Sequence, residues 1–85
     1  MRLTAEVRQQ LLDQNEGCTI RTSSDGKNFS EDRTYTISGG MLHIHSSSNT
    51  SWADSRQTRD WVADAEETHR FLYNYKYQLD TTGLD

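Results

Sequence analysis

The sequence predicts an α+β fold, a small two-layer domain in which an antiparallel sheet of three or four strands is flanked by an N-terminal and a C-terminal helix, in the order αβββ(β)α. Three observations predict it: an amphipathic segment with a capping residue near each end, alternation of polar and apolar residues between them, and a glycine pair that suits a tight turn. The 85 residues leave room for one sheet layer and two helices. We therefore expect a single domain over residues 1–85.

The first helix is predicted over residues 5–16. Thr4 is a suitable N-cap, and Gly17 is a typical terminator. The apolar stripe of this helix consists of Leu3, Val7 and Leu11, with Leu12 at its flank. The alternating segment CTIRTSS then predicts a half-buried strand with Cys18 and Ile20 on its inner face, and SDGKN predicts a turn, whereas FSED fits either the next strand or a loop.

A hairpin about Gly39 and Gly40 is the best-supported element. Two glycines suit the primed turns, whose twist matches that of antiparallel strands. The turn fixes the register, which pairs Ile37 with Leu42 and Tyr35 with Ile44 on one face. The pairs on the other face are Ser38 with Met41, Thr36 with His43, and Thr34 with His45. The segment SSSNTS, residues 46–51, predicts a short flexible connection after the hairpin.

The C-terminal helix is predicted to begin after Asp64, which is a suitable N-cap and forms a capping box with Glu67. The predicted stripe of this helix consists of Ala65, Thr68, Phe71, Leu72, Tyr75 and Leu79. The preceding segment DWVA favours a fourth strand, although Trp61 can also extend the helical stripe toward the N-terminus.

Composition argues against several classes of function. A formal net charge of −4 is unfavourable for duplex nucleic acid, because its binding depends on Lys and Arg at the phosphates. No apolar run is long enough for a membrane span, and no phosphate-binding loop, nucleophile elbow or EF-hand loop is present. Cys18 is the only cysteine, which predicts a cytoplasmic protein without a disulfide framework. We therefore expect no catalysis, no cofactor and no contact with a membrane.

The sequence favours a small interaction protein that binds another protein or a second copy of itself. Regulators, inhibitors and adaptors, including those of bacteriophage or mobile elements, are often small domains of this kind. The candidate partner-binding residues are Met41, His43 and His45 on the polar face of the hairpin and Tyr73 and Tyr77 on the outer side of the last helix. Alternatively, the first helix or the C-terminal tail packs over the two tyrosines.

A metal or ligand site centred on His43 and His45 is a first alternative function. Two histidines two residues apart on a strand point to the same side, with their Cβ atoms about 6–7 Å apart. Zinc needs three or four ligands, and the sequence places no further ligand beside this pair. Candidates from elsewhere in the chain are His69, Asp54 and Cys18.

Binding of single-stranded nucleic acid is a second alternative. Aromatic rings stack on bases and basic side chains contact the backbone. The residues for such a site are Trp52, Arg56, Arg59 and Trp61. Three neighbouring carboxylates, at Asp54, Asp60 and Asp64, reduce the positive field of this segment.

Overall fold

Two helices and four strands follow one another in the predicted order in a computed structural model that describes residues 2–50 and 56–84. The elements are α1 (Ala5–Gln14), β1 (Thr19–Asp25), β2 (Phe29–Ser38), β3 (Met41–Thr50), β4 (Gln57–Val62) and α2 (Ala65–Tyr75), followed by a 3₁₀ turn, Lys76–Gln78. The strands form one antiparallel sheet in sequential order. The α+β prediction is therefore confirmed, and DWVA contributes to a fourth strand rather than to the last helix.

Helix α1 begins at the predicted cap, where the side chain of Thr4 accepts a hydrogen bond from the backbone N–H of Val7 at 3.2 Å. It ends one residue before Asn15, which is only 8% exposed. The Asn15 side-chain amide donates to the carbonyls of Leu11 and Asp80, and its oxygen accepts from the Asp80 N–H at 2.8 Å. Asn15 therefore fastens the C-terminal segment to the end of α1.

Helix α2 begins at Asp64, whose carboxylate accepts from the backbone N–H of Glu67 at 2.8 Å. The Glu67 side chain turns toward the sheet, where its Oε1 accepts from the indole Nε1 of Trp61 at 2.9 Å. Glu67 thus joins α2 to β4.

The hairpin register is confirmed pair by pair, from Ser38 opposite Met41 to Thr34 opposite His45. Gly39 and Gly40 have φ values of 62° and 73°, which glycine adopts without strain. Helix α1 holds this turn, because the side chain of Gln9 donates to the Gly40 carbonyl at 3.0 Å.

The expected flexible connection at SSSNTS is wrong for the described part of that segment, because residues 46–50 belong to β3. Strand β3 lies between β2 and β4, and Ser46 and Ser48 have partners on both neighbours. Pairing on two sides compensates for the weak strand propensity of serine.

One face of the sheet packs against the helices. The buried apolar side chains of this core are Leu11, Leu12, Ile20, Ile37, Leu42, Ile44, Phe71, Leu72 and Leu79. They lie toward the Gly39 end of the hairpin, whereas Phe29 at the far end is 44% exposed. The radius of gyration is accordingly 14.6 Å, against roughly 12 Å for a compact chain of this length.

Candidate functional site

One face of the sheet points away from both helices, and no helix or strand of the described residues packs over it. We call it the open face. It consists of Thr19, Arg21, Ser23 and Asp25 on β1, Ser30, Asp32, Thr34, Thr36 and Ser38 on β2, Met41, His43, His45, Ser47 and Asn49 on β3, and Thr58, Asp60 and Val62 on β4. None of these residues is buried. Along each strand they alternate with residues that point to the helix side. The open face is rich in hydroxyl groups and carries both predicted histidines.

The side chain of His45 is held by the next strand. The pairing of β3 with β4 places Asp60 directly opposite His45, and His45 Nδ1 lies 2.6 Å from Asp60 Oδ1. The two side chains are 49% and 78% exposed. The contact orients the imidazole at the surface, and an exposed pair of this kind contributes little to stability.

His43 is half-buried and is held by the backbone. Its Nε2 lies 3.2 Å from the carbonyl oxygen of Ser38, near the hairpin turn. Each histidine of the pair therefore has one ring nitrogen engaged by a neighbouring oxygen.

The two histidines share a shallow depression of about 380 Å³ in the middle of the open face. The side chains of the open face that line it together with them are Thr34, Thr36, Asp60 and Val62. The structure thus brings His43 and His45 to one place on the surface.

Met41 lies apart from this depression. It is 47% exposed and lines a separate groove of about 310 Å³ beside Arg8 and Gln9 of α1. Val62 also lines this groove, so the two exposed apolar side chains of the open face flank the end of the sheet nearest the hairpin turn.

The two predicted interface tyrosines are exposed. Tyr73 on α2 is 60% exposed and Tyr77 on the 3₁₀ turn is 89% exposed. The ammonium of Lys76 lies between them, 4.8 Å from the Tyr73 ring centroid and 5.4 Å from the Tyr77 ring centroid. We call these three residues the tyrosine patch. The C-terminal tail packs elsewhere, because Leu84 contacts the hydrophobic core.

The residues considered for single-stranded nucleic acid are only partly described, because Trp52 lies outside the described residues. Trp61 is half-buried on the helix side of the sheet, and the guanidinium carbons of Arg59 and Arg33 lie 5.0 and 5.7 Å from its ring centroid. The pKa of Arg33 is raised, mainly by a hydrogen bond with the Tyr35 side chain, and Glu31 raises it further. The Trp61 ring is therefore already engaged by two cations.

The additional metal ligands considered from the sequence lie elsewhere or are not described. His69 contacts Arg8, with 3.3 Å between its Nδ1 and the guanidinium, and Cys18 packs against the hydrophobic core on the helix side. Asp54 lies outside the described residues. Within residues 2–50 and 56–84, no three side chains of His, Cys, Asp or Glu lie close enough together to hold a metal ion.

Sequence reasoning missed Asp60 and Val62 as members of the face that carries the histidines. The sequence contains a usable signal, because Asp60 and Val62 alternate with Trp61 in QTRDWV and therefore point to the opposite face of the sheet. The missing information was the register between β3 and β4, which a long connection does not fix.

Comparison with protein-family models, curated proteins and solved structures finds no match for this chain. Neither α1 nor α2 has the length and apolar character needed to cross a membrane, nor does any other helix in the described part of the chain. The geometry of the open face and of the tyrosine patch therefore carries the functional inference.

Proposed function

We propose that the protein is a small interaction domain that binds another protein chain through its open face and acts by covering a partner's surface rather than by catalysis. The supporting observation is that, among the described residues, none on this side of the four-stranded sheet is buried as a whole residue, including those of its two inner strands. A regulator, an inhibitor or an adaptor can work in this way.

The composition and rigidity of the open face support this proposal. Thr34, Thr36 and His43 are half-buried on inner strands, so their side chains lose little freedom on binding. Hydroxyl and imidazole groups supply hydrogen bonds, and the exposed Val62 and Met41 supply apolar contact at one end. Protein interfaces that are not permanent are about as polar as the rest of a protein surface, so a hydroxyl-rich face is a suitable one.

Two charges in one row of the open face, Arg21 and Asp60, restrict the chemistry of the partner. Arg21 lies on edge strand β1 and Asp60 on edge strand β4, in the same row across the sheet as Thr34 and His45. A partner that places a carboxylate over Arg21 and a cation over Asp60 avoids like charges on both sides.

The tyrosine patch is a second candidate surface for the same function. Tyrosine buries a large area at a small cost in side-chain entropy, which is why it is enriched where proteins meet. Lys76 between the rings favours a partner segment with a carboxylate.

A nucleic-acid function receives less support than protein binding. The guanidinium groups of Arg33 and Arg59 already lie over Trp61, and the indole N–H of Trp61 donates a hydrogen bond to Glu67. A base could stack on this ring only by displacing a guanidinium.

The cytoplasmic location is part of the proposal. Cys18 is the single cysteine of the chain and is a free thiol. Free thiols persist in a reducing compartment.

The test is capture of a partner chain by a purified, tagged protein, followed by reconstitution with that partner in pure form. The double variant Thr58→Arg/Val62→Arg adds two bulky cations to exposed positions of the open face. Gln57→Arg is the matched control, because Gln57 is also exposed on β4 but belongs to the opposite face. We expect the double variant to lose binding at least about tenfold, which corresponds to about 1.4 kcal/mol, whereas Gln57→Arg retains it.

A third variant separates the two candidate surfaces. Tyr73→Ala/Tyr77→Ala removes the rings of the tyrosine patch and leaves the open face intact. Binding that survives this variant and fails in Thr58→Arg/Val62→Arg supports the open face. The reverse result assigns binding to the tyrosine patch and overturns the open-face proposal. Circular dichroism of each variant checks that the fold is retained.

A further inference from the structure

The hydrogen bonds of the two open-face histidines determine which ring nitrogens are free. An ionised carboxylate and a backbone carbonyl can only accept, so the proton of each contact lies on the imidazole. His45 Nδ1 therefore donates to Asp60 and His43 Nε2 donates to the Ser38 carbonyl. In a neutral imidazole the other nitrogen carries a lone pair. The nitrogen with the lone pair is therefore Nε2 in His45 and Nδ1 in His43.

We propose that His43 and His45 are one half of a divalent-metal site, and that a second copy of the chain, bound to the open face, supplies the other half. Histidines that bind metals usually donate their second ring nitrogen to a carboxylate or a backbone carbonyl, and both acceptors are present here. The inference rests on the proposed function, and it names both the partner and the metal. Imidazole is a good ligand for zinc, copper and nickel, and we take zinc as the ion to test.

The described residues of one chain hold only part of the ligand set. Two imidazoles lie in the central depression, and the described residues contain no cluster of three possible ligands. A tetrahedral zinc ion takes four ligands. Two imidazoles from each of two chains complete that number.

The position of β3 in the sheet makes a second copy a suitable source of the missing ligands. β3 is next to the middle of the sheet, which lies between β2 and β3. A twofold axis parallel to the strands, above this middle line, places β3 of each copy over β2 of the other. The histidines of the two copies then lie about one strand spacing apart, roughly 4.8 Å, within a gap of about 10 Å between the sheets.

The charges of Arg21 and Asp60, in the row of His45, favour this axis, whereas Asp25 and Asp32 lie in other rows. In the row of His45, the order across the sheet is Arg21, Thr34, His45, Asp60. The axis parallel to the strands reverses this row, so each Arg21 faces Asp60 of the second copy. An axis perpendicular to the strands and above this row instead places Arg21 over Arg21 and Asp60 over Asp60. Opposite charges therefore meet only in the first arrangement.

The small size of the open face makes an added metal ion useful to a dimer. Strand spacing and rise give the face a projected area of about 500 Å². The face is also polar, with Met41 and Val62 as its exposed large apolar side chains. Metal coordination adds the stability that such contact lacks.

The test is a zinc titration of the full chain, stripped of metal with EDTA, followed by analytical ultracentrifugation and by calorimetry. We expect a monomer without metal and a dimer with zinc, at about one ion for every two chains. Excess EDTA should restore the monomer. His43→Ala and His45→Ala should each abolish the zinc-dependent dimer. His69→Ala is the matched control, because His69 lies on α2 beside Arg8, and it should dimerise as the unchanged chain does.

Four further variants, one of them a control, examine the parts of the site separately. Asp60→Ala should weaken zinc binding about 10–100-fold, since it removes the acceptor that orients His45. Arg21→Glu should weaken the zinc-bound dimer by placing two carboxylates together, whereas Arg70→Glu on the exposed side of α2 should not. Cys18→Ser should leave the zinc response unchanged, which excludes the thiol as the ligand.

Zinc binding by a chain that stays monomeric would overturn the proposal, as would an unchanged zinc response in His43→Ala or His45→Ala. Absence of any zinc effect would also overturn it. A different result would refute the proposed function: the captured partner would still bind the Thr58→Arg/Val62→Arg variant. If the captured partner does not bind this variant, and the unchanged chain does not respond to zinc, the proposed function stands and the metal-bridged dimer is refuted.

Discussion

The two faces of the sheet use alternate residues of the same strands and have opposite properties. Ile44 on the helix side of β3 is 2% exposed and packs in the core, whereas the next residue, His45, is about half exposed and lies 2.6 Å from the surface carboxylate of Asp60. Packing restricts the sequence of the first face. Packing within the described chain places no such restriction on the second face, so its histidines and charges are available for a partner.

Ile44→Ala should have the largest effect on the free energy of unfolding. The side chain is buried at the centre of the sheet, and its loss leaves a cavity that costs about 2–5 kcal/mol. In a chain of this size that is a large part of the total stability. Urea denaturation followed by circular dichroism measures it. A loss below about 1 kcal/mol would show that the helices do not enclose this face as described.

Asn15→Ala should have the next largest effect. The substitution leaves the Asp80 N–H without its acceptor and removes two further hydrogen bonds, at a cost of about 1–3 kcal/mol. Asn74→Ala is the matched control, because Asn74 is exposed on α2. Equal losses in the two variants, measured by urea denaturation, would contradict the role assigned to Asn15.

Glu67→Ala should lower the free energy of unfolding by about 1 kcal/mol, because the half-buried indole N–H of Trp61 loses its acceptor. Glu67→Gln retains an acceptor oxygen and should lose less. The NMR shift of the Trp61 indole proton reports the contact directly. An identical indole shift in the unchanged chain and in Glu67→Ala would mean that the helix and the sheet are not joined at this point.

His45→Ala should have the smallest effect, within about 0.5 kcal/mol of the unchanged chain, since a hydrogen bond between two exposed side chains contributes little. It is the open-face counterpart of Ile44→Ala one residue earlier. Thermal unfolding of the two variants side by side measures the difference between the faces. A similar loss in both would make His45 a structural residue and remove the reason to regard it as available for binding.

The candidate site was only partly predictable, and the reason lies in how its residues are connected. A two-residue turn fixes the pairing of β2 with β3, so the sequence places His43 and His45 on one face together with Thr34 and Thr36. Asp60 reaches His45 through the pairing of β3 with β4, and their connecting segment is too long to set a register. Local sequence therefore identified the histidines but not the carboxylate that orients one of them.

The sequence by itself determined the α+β class, both helix caps and the hairpin register. Each of these depends on residues a few positions apart, such as Thr4 with Val7 or the glycines at 39 and 40. Only the tertiary structure decided that β3 continues through Ser46, that Asn15 binds Asp80, and that Glu67 binds Trp61 rather than completing a capping box. These features depend on strand pairing and packing between separate elements, which local periodicity and capping rules do not describe.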